Sequence, residues 1–327
     1  MTQAGFSPTL NSATPTMAGS RYSKPTRKTV WNSTLTTGCS SSGATSVVIN
    51  EAFARAADLI RDADGLIVAA GAGMGVDSGL PDFRGEGGFW KHYPALGRAG
   101  LSFTSIACPD AFRRRPKLAW GFYGHRLRLY RETVPNDGFH ILKRWAAGMK
   151  HGAFVLTSNV DGQFQKVGFN EDRVYEVHGS IHHLQCLDAC RQDVWLADSF
   201  DPVVDDPTCT LTNEPPRCPH CGGLARPHIL MFGDWEWLDG RSRIQGALAM
   251  QWRQKLERPV VIEIGAGTDI PTIRILGQQM DAPMIRINPK ESAVANEFDV
   301  SLPMSCVTAL HAIDDLLSGC PSLHGVR

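Results

Sequence analysis

Cys186 and Cys190, then Cys218 and Cys221, form two close cysteine pairs in a chain of 327 residues. In Cys218-Pro-His-Cys221-Gly-Gly, two thiolates from one turn can reach a tetrahedral metal, and the glycines free the backbone to bring them there. Cys186-Leu-Asp-Ala-Cys190 has one residue more than the commonest spacing and stays within known ligand spacings. Four thiolates close a coordination shell, so the expected occupant is one structural Zn2+ with no position open for a catalytic water. A disulfide or free thiols are the alternatives. Cys39, Cys108, Cys209, Cys306 and Cys320 are isolated, with Cys209 a spare candidate ligand.

A second group of residues has the makings of a nucleotide site. Gly71-Ala72-Gly73-Met-Gly75 follows the apolar run Leu66–Ala70. Glycines after a first strand let the backbone approach a pyrophosphate, and the N–H groups there bind anionic oxygens. The G-x-G-x-x-G fingerprint is incomplete because Val76 stands in place of its third glycine, so a merely tight turn remains the alternative. Further on, Pro81 restricts the backbone and Arg84 offers a bidentate phosphate contact. His178 directly follows the strand-like Val174–Val177, where open α/β sheets place their ligands. A neutral imidazole there can act as a general base near pH 7; the plain alternative is a structural histidine. Asn159 and Asp161 follow the strand-like Phe154–Thr157. An amide and a carboxylate two residues apart can hold a carboxamide and a ribose hydroxyl, or simply cap a turn. His182 and His183 read as surface or zinc-domain residues.

The elements that must position these groups are legible as alternation. Short strand-like runs at Leu66–Ala70, Phe154–Thr157, Val174–Val177, Val260–Ile264 and Met284–Ile287 are separated by helical stretches such as Phe139–Ala147 and Ile244–Leu256. That order predicts a parallel, doubly wound α/β sheet. Two excursions interrupt it: a helical one over about 85–135, rich in Arg and aromatics, and one over about 182–225 that contains the paired cysteines. The first helix is expected to begin at Asn50 as its cap. The preceding segment has 19 Ser/Thr in the first fifty residues, no Asp or Glu, and Arg21, Lys24, Arg27 and Lys28. Residues 1–48 therefore read as a disordered tail, 49–318 as the folded domain and 319–327 as a C-terminal tail. A cytoplasmic location is expected; a Ser- and Arg-rich, acid-poor start also fits an organellar transit peptide, which makes a mitochondrial location the alternative.

Composition narrows the classes. Lys+Arg and Asp+Glu both number 33, and 43% of residues are hydrophobic. A neutral chain lacks the basic excess that phosphate-backbone binding needs, so direct nucleic-acid binding is not expected. No apolar run approaches a membrane span, and nine cysteines are sparse for a secreted disulfide scaffold.

Taken together, the motifs resemble the sirtuin family. Gly71-Ala-Gly73…Ser78-Gly79-Leu-Pro-Asp82-Phe83-Arg84-Gly85, Thr157-Ser158-Asn159-Val-Asp161-Gly162 and Tyr175-Glu-Val-His178-Gly179 follow the family signature in order. Arg226-Pro227-His-Ile229-Leu-Met-Phe232-Gly233-Asp234 and Ile287-Asn288-Pro289 extend the likeness, which covers about residues 50–318 with the four-cysteine site in its usual place. The resemblance implies a Rossmann-like sheet with a smaller zinc-binding and helical domain, and an NAD-dependent protein-lysine deacylase of deacetylase or desuccinylase type. His178 falls on the catalytic base. Asn159, Asp161 and Asp82 fall on positions around the nicotinamide. Phe83 would shield the reactive ribose carbon, Asn288 would contact the adenosine ribose, and Cys306 would pack near the adenine. Gly71, Ala72, Gly73, Arg84, Ser158, Gly265 and Gly267 complete the expected cofactor site. In the implied mechanism the acyl oxygen attacks the nicotinamide ribose, nicotinamide leaves, and the acyl group ends on ADP-ribose. An acylated lysine in a protein or peptide would lie as an added strand along Ile229, Phe232 and Gly233.

The family members that remove acidic acyl groups bind the acyl carboxylate with a Tyr and an Arg three residues later, a pattern met here by Tyr123 and Arg126. Positions i and i+3 share a helix face, so both can converge on one anion. An amphipathic helix that packs Tyr123 and shows Arg126 to solvent is the alternative. The chain departs from the family near Gly75, at Ser158 in place of Gln, and at Gly265-Ala266-Gly267-Thr268 in place of Gly-Thr-Ser. Each lost hydrogen bond to cofactor costs ~0.5–1.5 kcal/mol, for which backbone amides and Thr268 stand as substitutes. Rival readings are mono-ADP-ribosyl transfer or NAD hydrolysis by the same bond cleavage, and a non-catalytic NAD-sensing interaction module. A zinc-ribbon nucleic-acid binder and a dehydrogenase rank below these.

Overall fold

The computed structural model describes residues 41–81 and 85–319. In chain order its strands are β1 (Gly65–Ala70), β2 (Ala153–Thr157), β3 (Val174–Glu176), β4 (Gly179–Cys186), β5 (Val194–Leu196), β6 (Val204–Asp205), β7 (Thr210–Leu211), β8 (Ala225–Ile229), β9 (Pro259–Ile264), β10 (Met284–Ile287) and β11 (Val300–Leu302). Every residue of β1 is buried. Leu66, Val68 and Ala70 enter the core on one face of the sheet, and Ile67 and Ala69 enter the core on the other. Burial on both faces is why this strand is continuously apolar rather than alternating. Each fully buried Leu, Ile or Val contributes ~1.5–3 kcal/mol.

Six strands form one parallel sheet in the order β11-β10-β9-β1-β2-β3. Counting outward from β1, the chain winds through β2 and β3 on one side and through β9, β10 and β11 on the other. The reversal lies between β1 and β9, and in such sheets ligands bind at the carboxyl ends of the strands beside that point. Helices at Asp137–Gly148 and Cys306–Ser318, with the helix Ser41–Asp62, cover one face; Gly240–Arg253 and Thr272–Gln279 cover the other. The doubly wound α/β architecture expected from the alternation is present.

The two excursions fold as one body. Strands β5-β4-β8 make an antiparallel sheet and β6-β7 a two-stranded one. They share a core with the helical segment: Phe89, Phe112, Trp120, Phe122 and Tyr123 pack with Leu184 and Leu211. The helix Pro116–Glu132 starts with Pro at its first turn and ends at extended Thr133, two residues before Pro135. The indole of Trp120 anchors it by donating to the Ala225 carbonyl at 3.0 Å.

One boundary differs from expectation. The first helix begins at Ser41, and Asn50 lies exposed inside it rather than capping it. Asparagine costs only ~0.7 kcal/mol relative to alanine in a helix interior, too little to stop a segment that packs Ala56 and Ile60 against the sheet. The tail expected over 1–48 therefore does not include 41–48; the rest of it, and residues 320–327, lie outside the described residues. Among the described residues no helix is long and apolar enough to cross a membrane.

Candidate functional site

A cavity of about 480 Å³ opens at the carboxyl ends of β1, β2 and β9, beside the reversal of strand order. The turn after β1 contributes Gly71 and Ala72, and the turn after β2 contributes Ser158, Asn159 and Asp161. His178 comes from the turn between β3 and β4, and Gly265, Ala266 and Gly267 from the turn after β9. The small body supplies Ile229 and Phe232 at the end of β8, and Tyr123, Arg126 and Tyr130 from the helix Pro116–Glu132. The residues from the large sheet, far apart in sequence, meet because each follows the carboxyl end of its strand.

The two glycine turns interlock. Gly73 N–H donates to the Gly265 carbonyl at 3.1 Å, and a Cβ on Gly73 would stand 2.6 Å from the Gly265 Cα. No other residue fits that approach, and Gly265 itself has a positive φ of 60°. Asn159 Nδ2 donates to the Gly71 carbonyl at 3.0 Å, adding the third turn to the same knot. The Ala266 carbonyl accepts from Arg274 Nη2 at 3.0 Å and from Asn288 Nδ2 at 3.0 Å, which fixes the outer turn from behind. Thr268 is tied to Glu291: its hydroxyl donates to Oε1 at 2.8 Å and its N–H to Oε2 at 3.1 Å.

Burial sets the protonation states. It lowers the His178 pKa below its ordinary 6.5, against the opposing pull of a hydrogen bond to the Ser158 backbone, so the imidazole is neutral at pH 7. Burial also pushes the Asp161 carboxyl up to about 6, although Gln163 N–H donates to its Oδ1 at 3.0 Å. His182 and His183 lie half-buried on β4, the strand that ends at Cys186, so they belong to the zinc-bearing sheet, and His182 Nε2 lies 2.9 Å from the Asp161 carbonyl. The side chain of β4 that faces this loop had no local signal, because its partner is 21 residues away.

Arg126 does not point to solvent. It is 8% exposed, its Nε and Nη2 donate to the Tyr130 hydroxyl at 3.0 and 2.7 Å, and its guanidinium lies against the rings of Phe122, Tyr123 and Tyr130. A buried cation surrounded by aromatic faces is favourable for delocalised guanidinium and costly for ammonium.

At the far end of the β4–β8 pair, Cys186, Cys190, Cys218 and Cys221 place all four sulfurs within 4.8 Å of one another. Cys186 and Cys221 are 3.7 Å apart, and Cys190 and Cys218 are 3.6 Å apart, far beyond a disulfide bond. A tetrahedron with Zn–S bonds of ~2.3 Å has edges of ~3.8 Å, so the four thiolates fit one zinc. Cys186 and Cys218 are buried and Cys190 and Cys221 are exposed. Cys209 is not part of the cluster; it is buried in the small body's core. The strand β4 runs from this site to His178, on the order of 20 Å, which separates the metal from the cavity.

Several expected site residues lie elsewhere. Asn288 is buried behind the Ala266 turn, where its Oδ1 caps the N–H groups of Lys290 and Glu291 at 3.0 Å. Cys306 packs in the main core against Met74, 3.3 Å between sulfurs, under the glycine turn rather than in the cavity. Gly233 is an exposed turn residue at a φ of 64°, and Gly73 is spent on the contact with Gly265. Asp82, Phe83 and Arg84 lie outside the described residues. Tyr130 and Arg274 went unnoticed in the sequence. Tyr130 had a signal, since Tyr123, Arg126 and Tyr130 repeat at i, i+3 and i+7; Arg274 had none.

The Sir2 family model matches residues 71–262, from the first glycine turn through most of β9. An NAD-dependent protein deacylase of Aquifex aeolicus is 29% identical over 255 residues, 77% of this chain and 95% of that protein. One from Pyrobaculum aerophilum, named NAD-dependent protein deacylase 2, is 32% identical over 75% of this chain and 87% of its own length. The mitochondrial sirtuin-5 deacylase of Danio rerio is 31% identical over 52% of this chain and 57% of its own. A Sir2 homologue solved with NAD superposes with a TM-score of 0.61 at 22% identity, over 81% of this chain and 94% of that one, a likeness of fold. With the family match spanning more than half of its length, the interlocked glycine turns and the four-cysteine site in their places, the chain belongs to the Sir2 family.

Proposed function

We propose that this protein is an NAD-dependent protein-lysine deacylase that yields nicotinamide and O-acyl-ADP-ribose. The observation that carries the reading is the meeting of a neutral His178 with Asn159 and Asp161 in one cavity, at the switch point of the sheet and beside two interlocked glycine turns. The deacylase names of the relatives support it.

Gly71, Ala72, Ser158 and Gly265–Gly267 would hold the dinucleotide, with backbone N–H groups rather than the missing side chains as its partners. When bound, NAD supplies a nicotinamide–ribose bond that breaks and a ribose hydroxyl that takes the acyl group. His178 serves as the base that receives the proton of that hydroxyl. One N–H of the Asn159 amide is committed to Gly71, and Oδ1 can orient a carboxamide. Asp161, with its pKa near 6, can both accept and donate there. Ile229 and Phe232 on one side and the Gly265–Pro271 stretch on the other offer backbone to an extended acyl-lysine peptide. Tyr123 and Arg126 at the cavity wall favour an acyl group that ends in a carboxylate. The zinc would hold the β4–β8 pair together and takes no part in the chemistry.

Incubation of the purified protein with NAD and acetyl-, succinyl- and glutaryl-lysine peptides, followed by mass spectrometry, tests this reading. O-acyl-ADP-ribose is expected. Label on protein would mean ADP-ribosyl transfer, and free ADP-ribose with intact peptide would mean NAD hydrolysis.

A further inference from the structure

Tyr130 stands two helical turns beyond Tyr123 on the same face of the helix Pro116–Glu132, and it lines the same cavity as Arg126. It is 5% exposed. A phenol oxygen has two acceptor lone pairs and one proton. Both lone pairs of Tyr130 are occupied, by Arg126 Nε at 3.0 Å and Nη2 at 2.7 Å. The hydroxyl can therefore act toward a further group only as a donor, and no acceptor for its proton is found among the described residues. Gln163, fully buried, donates its Nε2 to the Tyr130 carbonyl at 3.0 Å and fixes the helix end. Burial raises the Tyr130 pKa, so the proton stays on the oxygen. The cation beside it polarises the O–H bond and strengthens it as a donor.

We propose that Tyr130 is a specificity-determining residue: its hydroxyl donates a hydrogen bond to the terminal carboxylate of a dicarboxylic acyl group on lysine, while its oxygen holds Arg126 for the same carboxylate. The inference rests on the acyl-lysine reading of the cavity. An acetyl group ends in a methyl and offers no acceptor at this depth; a succinyl or glutaryl group does. The three-residue spacing of Tyr123 and Arg126 does not include this residue, and its role follows from the two bonds that exhaust its oxygen.

The test measures KM and kcat for acetyl- and succinyl-lysine peptides of one sequence, in wild type, Tyr130→Phe, Arg126→Met and the double variant. KM does not depend on the fraction of protein that is folded, so a loss of stability cannot imitate the result. Tyr130→Phe keeps the ring against Arg126 and removes only the hydroxyl. It should raise the ratio of succinyl to acetyl KM about 10-fold, with the ratio of kcat values little moved. The double variant should match Arg126→Met in that ratio, because both groups act on one carboxylate. A wild-type KM ratio in Tyr130→Phe overturns the proposal and makes the hydroxyl a packing group. A wild type that forms O-acyl-ADP-ribose but favours acetyl-lysine overturns the carboxylate role and leaves the deacylase reading standing. A wild type that forms O-acyl-ADP-ribose from neither peptide overturns both.

Discussion

Asn159 Nδ2 donates to the Gly71 carbonyl at 3.0 Å, and through this bond the turn after β2 is tied to the turn after β1. The Asn159 N–H in addition donates to Thr157 Oγ1 at 3.0 Å, so backbone and side chain are both held. Asn159 is thus oriented before any ligand arrives, with its amide oxygen and second amide N–H left over.

Asn159→Asp keeps the shape and sets a carboxylate oxygen against the Gly71 carbonyl. A repulsive pair then replaces a bond worth ~1 kcal/mol, and the glycine turn loses its tether. The KM for NAD should rise at least about 10-fold. Steady-state kinetics with NAD varied at saturating peptide read this directly, and an unchanged KM would remove the tether from the account.

The metal site predicts a structural phenotype. Wild type should carry one zinc per chain by elemental analysis, and Cys218→Ser should lower both zinc content and thermal midpoint, because binding energy at a closed site is folding energy. The effect reaches the cavity because β8 runs from this site to Ile229. Metal-free protein with wild-type thermal stability would refute it.

Much of this was legible in the residues, for physical reasons that can be named. β1 and β2 are buried on both faces, so their sequences are nearly continuous apolar runs, and β9 and β10 are broken only by Glu263 and Arg286, which pair with each other at 2.7 Å. His178, Asn159 and Asp161 were visible because a parallel sheet sends the ends of its strands to one edge. The helix start at Ser41 was not, since packing against the sheet outweighs a weak cap signal at Asn50. Cys306 and Thr268 were assigned toward the cofactor, but each has a distant partner, Met74 or Glu291, that no local pattern announces.

Asp161 links stability to pH. Burial raises its pKa from 3.8 to about 6, so the folded protein holds this proton more tightly than the unfolded chain does. Ionisation therefore costs stability as pH rises through about 6, by up to roughly 3 kcal/mol. Asp161→Asn removes that cost. The variant should resist urea better than wild type at pH 8, with the gap shrinking toward pH 4. A gap of equal size at both pH values would show that the carboxylate is not the source.

His178 sets the acid limb of activity. The base acts when neutral, and burial holds its pKa below 6.5, so kcat/KM should be flat near pH 7 and fall only at lower pH. His178→Ala should lower kcat/KM by about 10²- to 10⁴-fold with zinc content and thermal midpoint unchanged. A limb centred above pH 7, or a fully active His178→Ala, would assign the proton transfer to another group.

The central claim is that cleavage of NAD and removal of the acyl group are one reaction in this cavity. The most direct measurement quantifies nicotinamide, deacylated peptide and O-acyl-ADP-ribose in the same time course with a succinyl-lysine peptide. The account predicts the three in equal amounts at every time point. Nicotinamide released while the peptide keeps its acyl group would contradict it.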